Sequence, residues 1–268
     1  MNKKDTNQDL QSTMLRSVRV LFGLGESGRP MSVTQLASAL SLPASTTHRI
    51  LNALRKASYV AQNEATGTYQ PGMAFLRMSA MMAASSTFPS AVQSMLTNLV
   101  ERSDESAFYA VYLNETQRMR FSVTLHSHHA IQYVMRGNQT HSLLWGASGY
   151  SMASRLPEQV LREIYEREKN SAEGVAKVPS WPALYKSMAQ VRQDGYAISS
   201  GQRHDGSHAI AAPVVGDDEA LIGCVGIALP VSRQQAEKTQ KCVALVASAA
   251  AQLSLAARSV HLSVPLSS

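Results

Sequence analysis

The stretch that most constrains this chain is residues 14–71, where three short helical patterns and a pair of extended runs follow one another without a gap. Leu15, Val18, Leu21 and Phe22 recur at helical spacing. Ser27-Gly28-Arg29-Pro30 then stops that helix. Ser32 is a natural N-cap with Gln35 as its capping-box partner. It opens a second helix with Val33, Leu36, Ala37 and Leu40 on one face. Leu42-Pro43 breaks the chain again, and a third helix over 44–58 turns Thr47, Ile50, Leu51 and Leu54 inward. Extended runs at 59–62 and 68–71 flank a segment of hairpin-turn composition at 63–67. Helix, helix, turn, helix, hairpin is the order of a winged helix-turn-helix.

Charge supports that reading. Residues 1–85 carry 9 Lys/Arg against 4 Asp/Glu, whereas the remainder carries 16 against 15, within a net charge of +6. A basic segment joined to a near-neutral larger one suggests a polyanion-binding module with a partner domain of another role. The third helix offers Ser45, Arg49, Asn52 and Lys56 outward, flanked by Thr46 and His48. Thr47 is counted with them as a DNA contact although it also lies on the inner face. Ser, Thr, Asn and Arg suit base edges and phosphates, and Lys56 suits the backbone. The helix start at Ser45 and Thr46 favours a phosphate through its unpaired amides. A solvated helix face is the plainer reading of such a stripe; the preceding helix, tight turn and following hairpin favour DNA.

Beyond the hairpin, residues 73–86 are apolar and helical, either a linker that packs on its counterpart in a second copy or a core helix of one domain. Helices follow at 90–103, 148–155, 157–168, 182–194 and 232–258. Strands follow at 107–113, 119–125, 130–135, 196–199, 208–215 and 221–228. This pattern predicts an α+β domain with a mostly antiparallel sheet. The expected organisation is a flexible tail over 1–12, a DNA-binding domain over 13–72, a linker helix over 73–89 and a second domain over 90–262. No run approaches the roughly 18 apolar residues of a membrane helix, and the polar N-terminus lacks a signal peptide's apolar stretch. Cys224 and Cys242 are too few for a disulfide scaffold. The expectation is a cytoplasmic protein with reduced thiols and no membrane partner.

Val18-Arg-Val-Leu21, Met31-Ser-Val-Thr-Gln-Leu-Ala37 and Leu42-Pro-Ala-Ser-Thr-Thr-His-Arg-Ile-Leu51 look like the helix-turn-helix of the IclR family of bacterial transcription regulators. Tyr69-Gln-Pro-Gly72 is similar to the motif that closes its wing, with Pro71 in place of Leu. Gly195-Tyr-Ala197, Ala211-Ala-Pro-Val214 and a strand ending at Pro230 before a long helix match its ligand-binding domain. The resemblance implies operator DNA bound by the winged domain and a GAF-like C-terminal domain with a cavity for a small effector. It also implies a homodimer or homotetramer with dimer contacts through the linker helix and winged domains.

By that resemblance the cavity wall includes Trp145, Ala147 and Ser148, from the segment 142–150. Gly149 meets the family's glycine only after a one-residue shift, and Tyr150 replaces its lysine. Tyr133 is expected nearby. Ser199, Ser207, Ala209, Gly226 and Ala228 stand where relatives of the family place hydroxyl, thiol or carboxyl contacts. The smaller residues predict a larger, more apolar cavity, suited to an aromatic or bulky effector rather than a two- or three-carbon acid.

Rival readings are a small-molecule-binding enzyme or a metal-dependent protein with a GAF-like domain. There is no Gly-x-Ser-x-Gly elbow, phosphate loop or Gly-x-Gly-x-x-Gly, and Gly146-Ala-Ser-Gly149 has the wrong spacing for an elbow. No catalytic residue, metal or cofactor is nominated. His126 and His128 would share a strand face and could chelate a metal, but a polar strand end is the plainer account. His204 or His208 could instead hydrogen-bond an effector. A sensor that no longer binds DNA is disfavoured by Arg49.

Overall fold

The computed structural model describes residues 3–85, 87–130, 132, 134, 135, 139–170, 178–202 and 205–261, excluding the side chains of 3–12, 83–85, 260 and 261. The fold divides into two compact units, residues 1–85 with the turn at 114–116, and the rest of the chain from 86 on.

The first unit contains α1 (Lys3–Ser27), α2 (Val33–Ala39), α3 (Ala44–Lys56), β1 (Val60–Gln62), β2 (Tyr69–Pro71) and α4 (Met73–Ser85). The first helix starts well before Met14, so residues 3–12 continue it rather than forming a separate tail. Neither Gly nor Pro interrupts 3–22, and nothing in that composition stops a helix from propagating. The capping box forms as the sequence indicates: Ser32 Oγ accepts from the Gln35 amide at 3.2 Å, and Gln35 Oε1 accepts from the Ser32 amide at 2.9 Å. β1 and β2 pair antiparallel from Val60↔Pro71 to Gln62↔Tyr69, and Met31 bridges to Tyr69 on the other side. Val20, Leu24, Leu36, Ile50, Leu51 and Tyr69 close the core of the winged helix-turn-helix.

The second unit begins with α5 (Phe88–Ser103), β3 (Ser106–Leu113), β4 (Arg118–Leu125) and β5 (Thr140–His141). Three helices follow: α6 (Gly146–Ala153), α7 (Glu158–Glu168) and α8 (Trp181–Asp194). β6 (Ala197–Ser200), β7 (Ser207–Val215), β8 (Leu221–Pro230) and α9 (Ala236–His261) complete it. The strands form one antiparallel sheet in the order β5-β4-β3-β8-β7-β6. Both faces are covered, so the central strands read as almost unbroken apolar runs. On β7, Ile210, Ala212 and Val214 join the core with Leu96, Leu99, Val225 and Val246. Ala209 and Ala211 point the other way, toward Phe108, Leu144, Met152 and Met188.

Two expectations need correction. None of the described residues within 130–135 is strand; the short strand on β4 is Thr140–His141, paired at Met119↔His141 and Arg120↔Thr140. In addition, α9 contains a window long and apolar enough to cross a membrane by length and composition. Its Cys242, Leu245, Val246, Ala249 and Leu253 are buried in the sheet's core, which accounts for that apolarity.

Glu105, just before β3, is fully buried and accepts from Arg233 Nε at 2.8 Å and from Lys238 Nζ. Burial alone pushes its carboxyl up, but the hydrogen bonds and charges of Arg233 and Lys238 outweigh this and hold it below the ordinary glutamate value. The cluster ties the start of β3 to Arg233 before α9 and to Lys238 in its first turn.

Candidate nucleic-acid interface and effector cavity

The third helix is amphipathic as the spacing predicts. Ile50 and Leu51 are buried, while Ser45, His48, Arg49 and Lys56 are exposed and Thr46 and Asn52 are half-buried. Thr47 departs from the stripe: it is fully buried and its hydroxyl donates to the Pro43 carbonyl at 3.1 Å. That places it on the core side and removes it from the set that can reach a groove. Asn52 Nδ2 lies 3.3 Å from His48 Nε2, so these two outward side chains support each other. Arg49 makes no side-chain hydrogen bond or ion pair among the described residues. No side chain caps the start of α3, where Pro43 is the N-cap. Arg55 is also exposed on this helix, a cation that the sequence reading left out.

In the second unit, a cavity opens between the sheet and the start of α6. As it stands the cavity is small, about 30 Å³, within a mouth that brings the atom-free space to about 360 Å³. Of the nominated residues, Ala147, Ser148, Ser199, Ser207, Ala209 and Ala228 line it together. Phe108, Phe121, Met135 and Gly146 line it too, and were not nominated. The Phe108 and Phe121 rings meet edge-on, with centroids 5.2 Å apart and planes at 88°. They supply the aromatic wall that was expected from Trp145, which instead sits as N-cap of α6 and is not among the lining residues. Tyr133 and His204 lie outside the described residues.

Gly226 does not enlarge the cavity. A Cβ there would stand 2.4 Å from Phe108 Cζ and 2.4 Å from the Ile210 carbonyl oxygen, so its missing side chain makes room for the Phe108 ring. Gly149 is required by a close approach as well, since its Cβ would lie 2.7 Å from the Leu143 carbonyl oxygen.

The first amides of α6 are engaged from β6 and the bend beyond it. Ser199 Oγ accepts from the Ala147 amide at 2.8 Å, and Gln202 Oε1 accepts from the Gly146 amide at 2.9 Å. Ser148 is only 4% exposed and faces the cavity, and its hydroxyl makes no hydrogen bond among the described residues. His208 lies on the opposite face of β7 from Ser207 and Ala209, with Nδ1 2.7 Å from Ser200 Oγ. Burial lowers its pKa. His126 and His128 are exposed beyond the end of β4, and His129 pairs with Asp104 at 3.0 Å. Among the described residues, no group of three His, Cys, Asp or Glu side chains gathers to hold a metal.

Residues 13–64 match the IclR helix-turn-helix domain, and residues 85–255 match the bacterial transcriptional regulator IclR C-terminal domain. The chain belongs to the IclR family. It is 23% identical over 244 residues to the transcriptional repressor IclR of Escherichia coli, covering 91% of this chain and 89% of that one. It is 23% identical over 257 residues to the Escherichia coli regulator KdgR, covering 93% and 94%. A crystal structure of an IclR transcriptional regulator from a Silicibacter species shares the fold with a TM-score of 0.76 at 22% identity, covering 91% of this chain and 95% of that chain. Pseudomonas aeruginosa HmgR shares it with a TM-score of 0.53 at 22% identity, covering 90% and 97%. The protein is thus an IclR-type transcription regulator, with a helix-turn-helix domain and a C-terminal α+β domain built on a curled sheet. Its named relatives are regulators and repressors, not enzymes.

Proposed function

We propose that this IclR-family chain is an effector-responsive regulator that holds operator DNA on the outward face of α3 and senses a small aromatic metabolite in the C-terminal cavity. One observation carries the reading: the first unit turns a polar and cationic stripe outward on α3, with Arg49 bonded to nothing among the described residues, and the second holds a small cavity walled by two phenylalanines. Ser45, Thr46, His48, Arg49, Asn52 and Lys56 form the DNA-contacting set, with Arg49 in the base-reading role. Phe108, Phe121, Met135 and Ala209 offer apolar surface to a flat ring, while Ser148 offers a hydroxyl to one polar substituent.

The regulator works as a homodimer or homotetramer in the cytoplasm. Met81 is 73% exposed and Met82 63%, while Phe22 on α1 is 57% exposed. Apolar surface of this kind suits burial against a second copy. Two recognition helices then meet half-sites at a fixed spacing, and an effector that binds one arrangement better shifts the DNA equilibrium by its differential affinity.

Duplexes selected from a random pool by the full-length protein test the first half. A thermal-shift screen of aromatic acids, phenols, glyoxylate and pyruvate tests the second. The expected result is a recurrent, two-fold-related sequence and stabilisation by an aromatic compound. Tight glyoxylate or pyruvate binding with no aromatic binding contradicts the effector assignment, and selection of no sequence contradicts the operator assignment.

A further inference from the structure

The start of α6 is the one place on the described cavity wall where backbone N–H groups of a helix converge, and it is already occupied. Ser199 Oγ holds the Ala147 amide and Gln202 Oε1 holds the Gly146 amide. Both are side-chain oxygens in the position that an oxygen of a bound guest would take, because the first amides of a helix lack partners within it and attract acceptors. Beside them Ser148, 96% buried by its 4% exposure, turns a hydroxyl without a hydrogen bond toward the cavity. A buried hydroxyl in that state favours a polar guest group next to it.

The two occupants differ in how easily they leave. Ser199 lies inside β6, paired with Ala209, and its short side chain has one rotatable bond. Gln202 lies beyond the strand, after Gly201, which has φ +66° and whose amide bonds the Ser207 carbonyl. Its long side chain reaches back to α6 from a bend, and no other hydrogen bond fixes it among the described residues.

We propose that Gln202 is an internal competitor for the effector, a side-chain amide that occupies the Gly146 N–H until an acceptor oxygen of the guest displaces it. The inference rests on the cavity's being the effector site and adds the chemistry of its guest: an apolar ring carrying a carboxylate or carbonyl oxygen that takes the Gly146 amide, with Ser148 as the second polar contact. Ser199 remains in place as the fixed cap of α6. Displacement frees the bend at 201–202, so occupancy of the cavity is felt at the β6 edge of the sheet.

Benzoate is the probe, titrated calorimetrically into the full-length protein and into Gln202→Ala and Gln202→Glu variants of matched melting temperature. Removing the competitor tightens benzoate binding in Gln202→Ala by about three- to ten-fold, the range expected for one competing hydrogen bond. Gln202→Glu places a charged acceptor on the same amide and weakens binding. Weaker binding in Gln202→Ala would make Gln202 a contact of the guest and overturn the proposal while leaving the cavity as the effector site. Equal binding in all three proteins would also overturn it. If benzoate shifts none of the amide resonances of Ala147, Ser148 and Ser207 in any of the three, both the cavity assignment and the proposal fall.

Discussion

The ring of Phe108 occupies the space that a side chain at Gly226 would need. The two residues face each other across β3 and β8, in register as Phe108↔Gly226, and a Cβ on Gly226 would meet Phe108 Cζ at 2.4 Å. The glycine therefore shapes the cavity between the sheet and α6 indirectly, by letting an aromatic ring settle against the sheet.

Gly226→Ser tests this. The new side chain also meets the Ile210 carbonyl oxygen, which cannot rotate away. The expected cost is about 1–3 kcal/mol of stability, as for an overpacked core. Chemical denaturation of the variant measures it. Loss of aromatic-probe binding should accompany it, because the displaced Phe108 ring lines the cavity. Unchanged stability would show that the ring does not sit on the glycine.

Acid should weaken the fold in two stages. His208 is held neutral by burial, its pKa lowered. Stability is unaffected by it above the ordinary histidine value and is lost as pH falls from that value down through the group's own lowered one, because the unfolded chain takes up the proton first. Glu105 is also lowered, despite its burial, by Arg233 and Lys238. Its contribution persists to lower pH and is lost below the ordinary glutamate value. Melting temperatures across the acid range should fall in the first stage for the native protein and not for His208→Leu. Glu105→Gln should lose on the order of 3 kcal/mol near neutrality, since two cations are left facing each other. A single transition in the native protein, unaltered by either substitution, would contradict both assignments.

The wing carries no cation. Between Val60 and Pro71 there is neither Lys nor Arg, and exposed Glu64 stands in its turn, next to Asn63, whose Oδ1 accepts from the Ala65 amide at 3.0 Å. A carboxylate there opposes approach to phosphate on every sequence. Glu64→Lys should tighten binding to selected and scrambled duplexes alike and steepen the salt dependence by about one counterion. Fluorescence anisotropy at several salt concentrations reads both. An unaltered slope would mean that the wing stays clear of the backbone.

Much of this was legible in the residues because the signals were local. The Ser32–Gln35 cap, the Leu42-Pro43 break and the amphipathic spacing of α3 each depend on neighbours a few positions apart. Thr47 was ambiguous because it borders both faces of the helix, and only its bond to Pro43 decides the side. The cavity was partly legible, since alternation along β6 and β7 places Ser199, Ser207 and Ala209 on one face. Phe108 was hidden because β3 is apolar on both faces, with Phe108 in one core and Tyr109 in the other. Gly226 could not be judged from its own strand, because what fills its space comes from a neighbouring strand 118 positions earlier. Gln202 ends the segment 198–202, which follows Gly195-Tyr-Ala197 where the family usually has acidic residues, but no sequence neighbour marks its partner. Its role depends on reaching back to an amide 56 positions away.

Arg49 is exposed on α3 and free of intramolecular partners among the described residues, and the proposed DNA-reading role of that helix rests most directly on it. Binding of the native protein and of Arg49→Ala should be titrated against the selected duplex and against a scrambled one at the same salt concentration. The prediction is a loss of about 1–3 kcal/mol on the selected duplex, with a much smaller change on the scrambled one. Equal affinity of the two proteins for the selected duplex would remove α3 from the DNA interface and contradict the account.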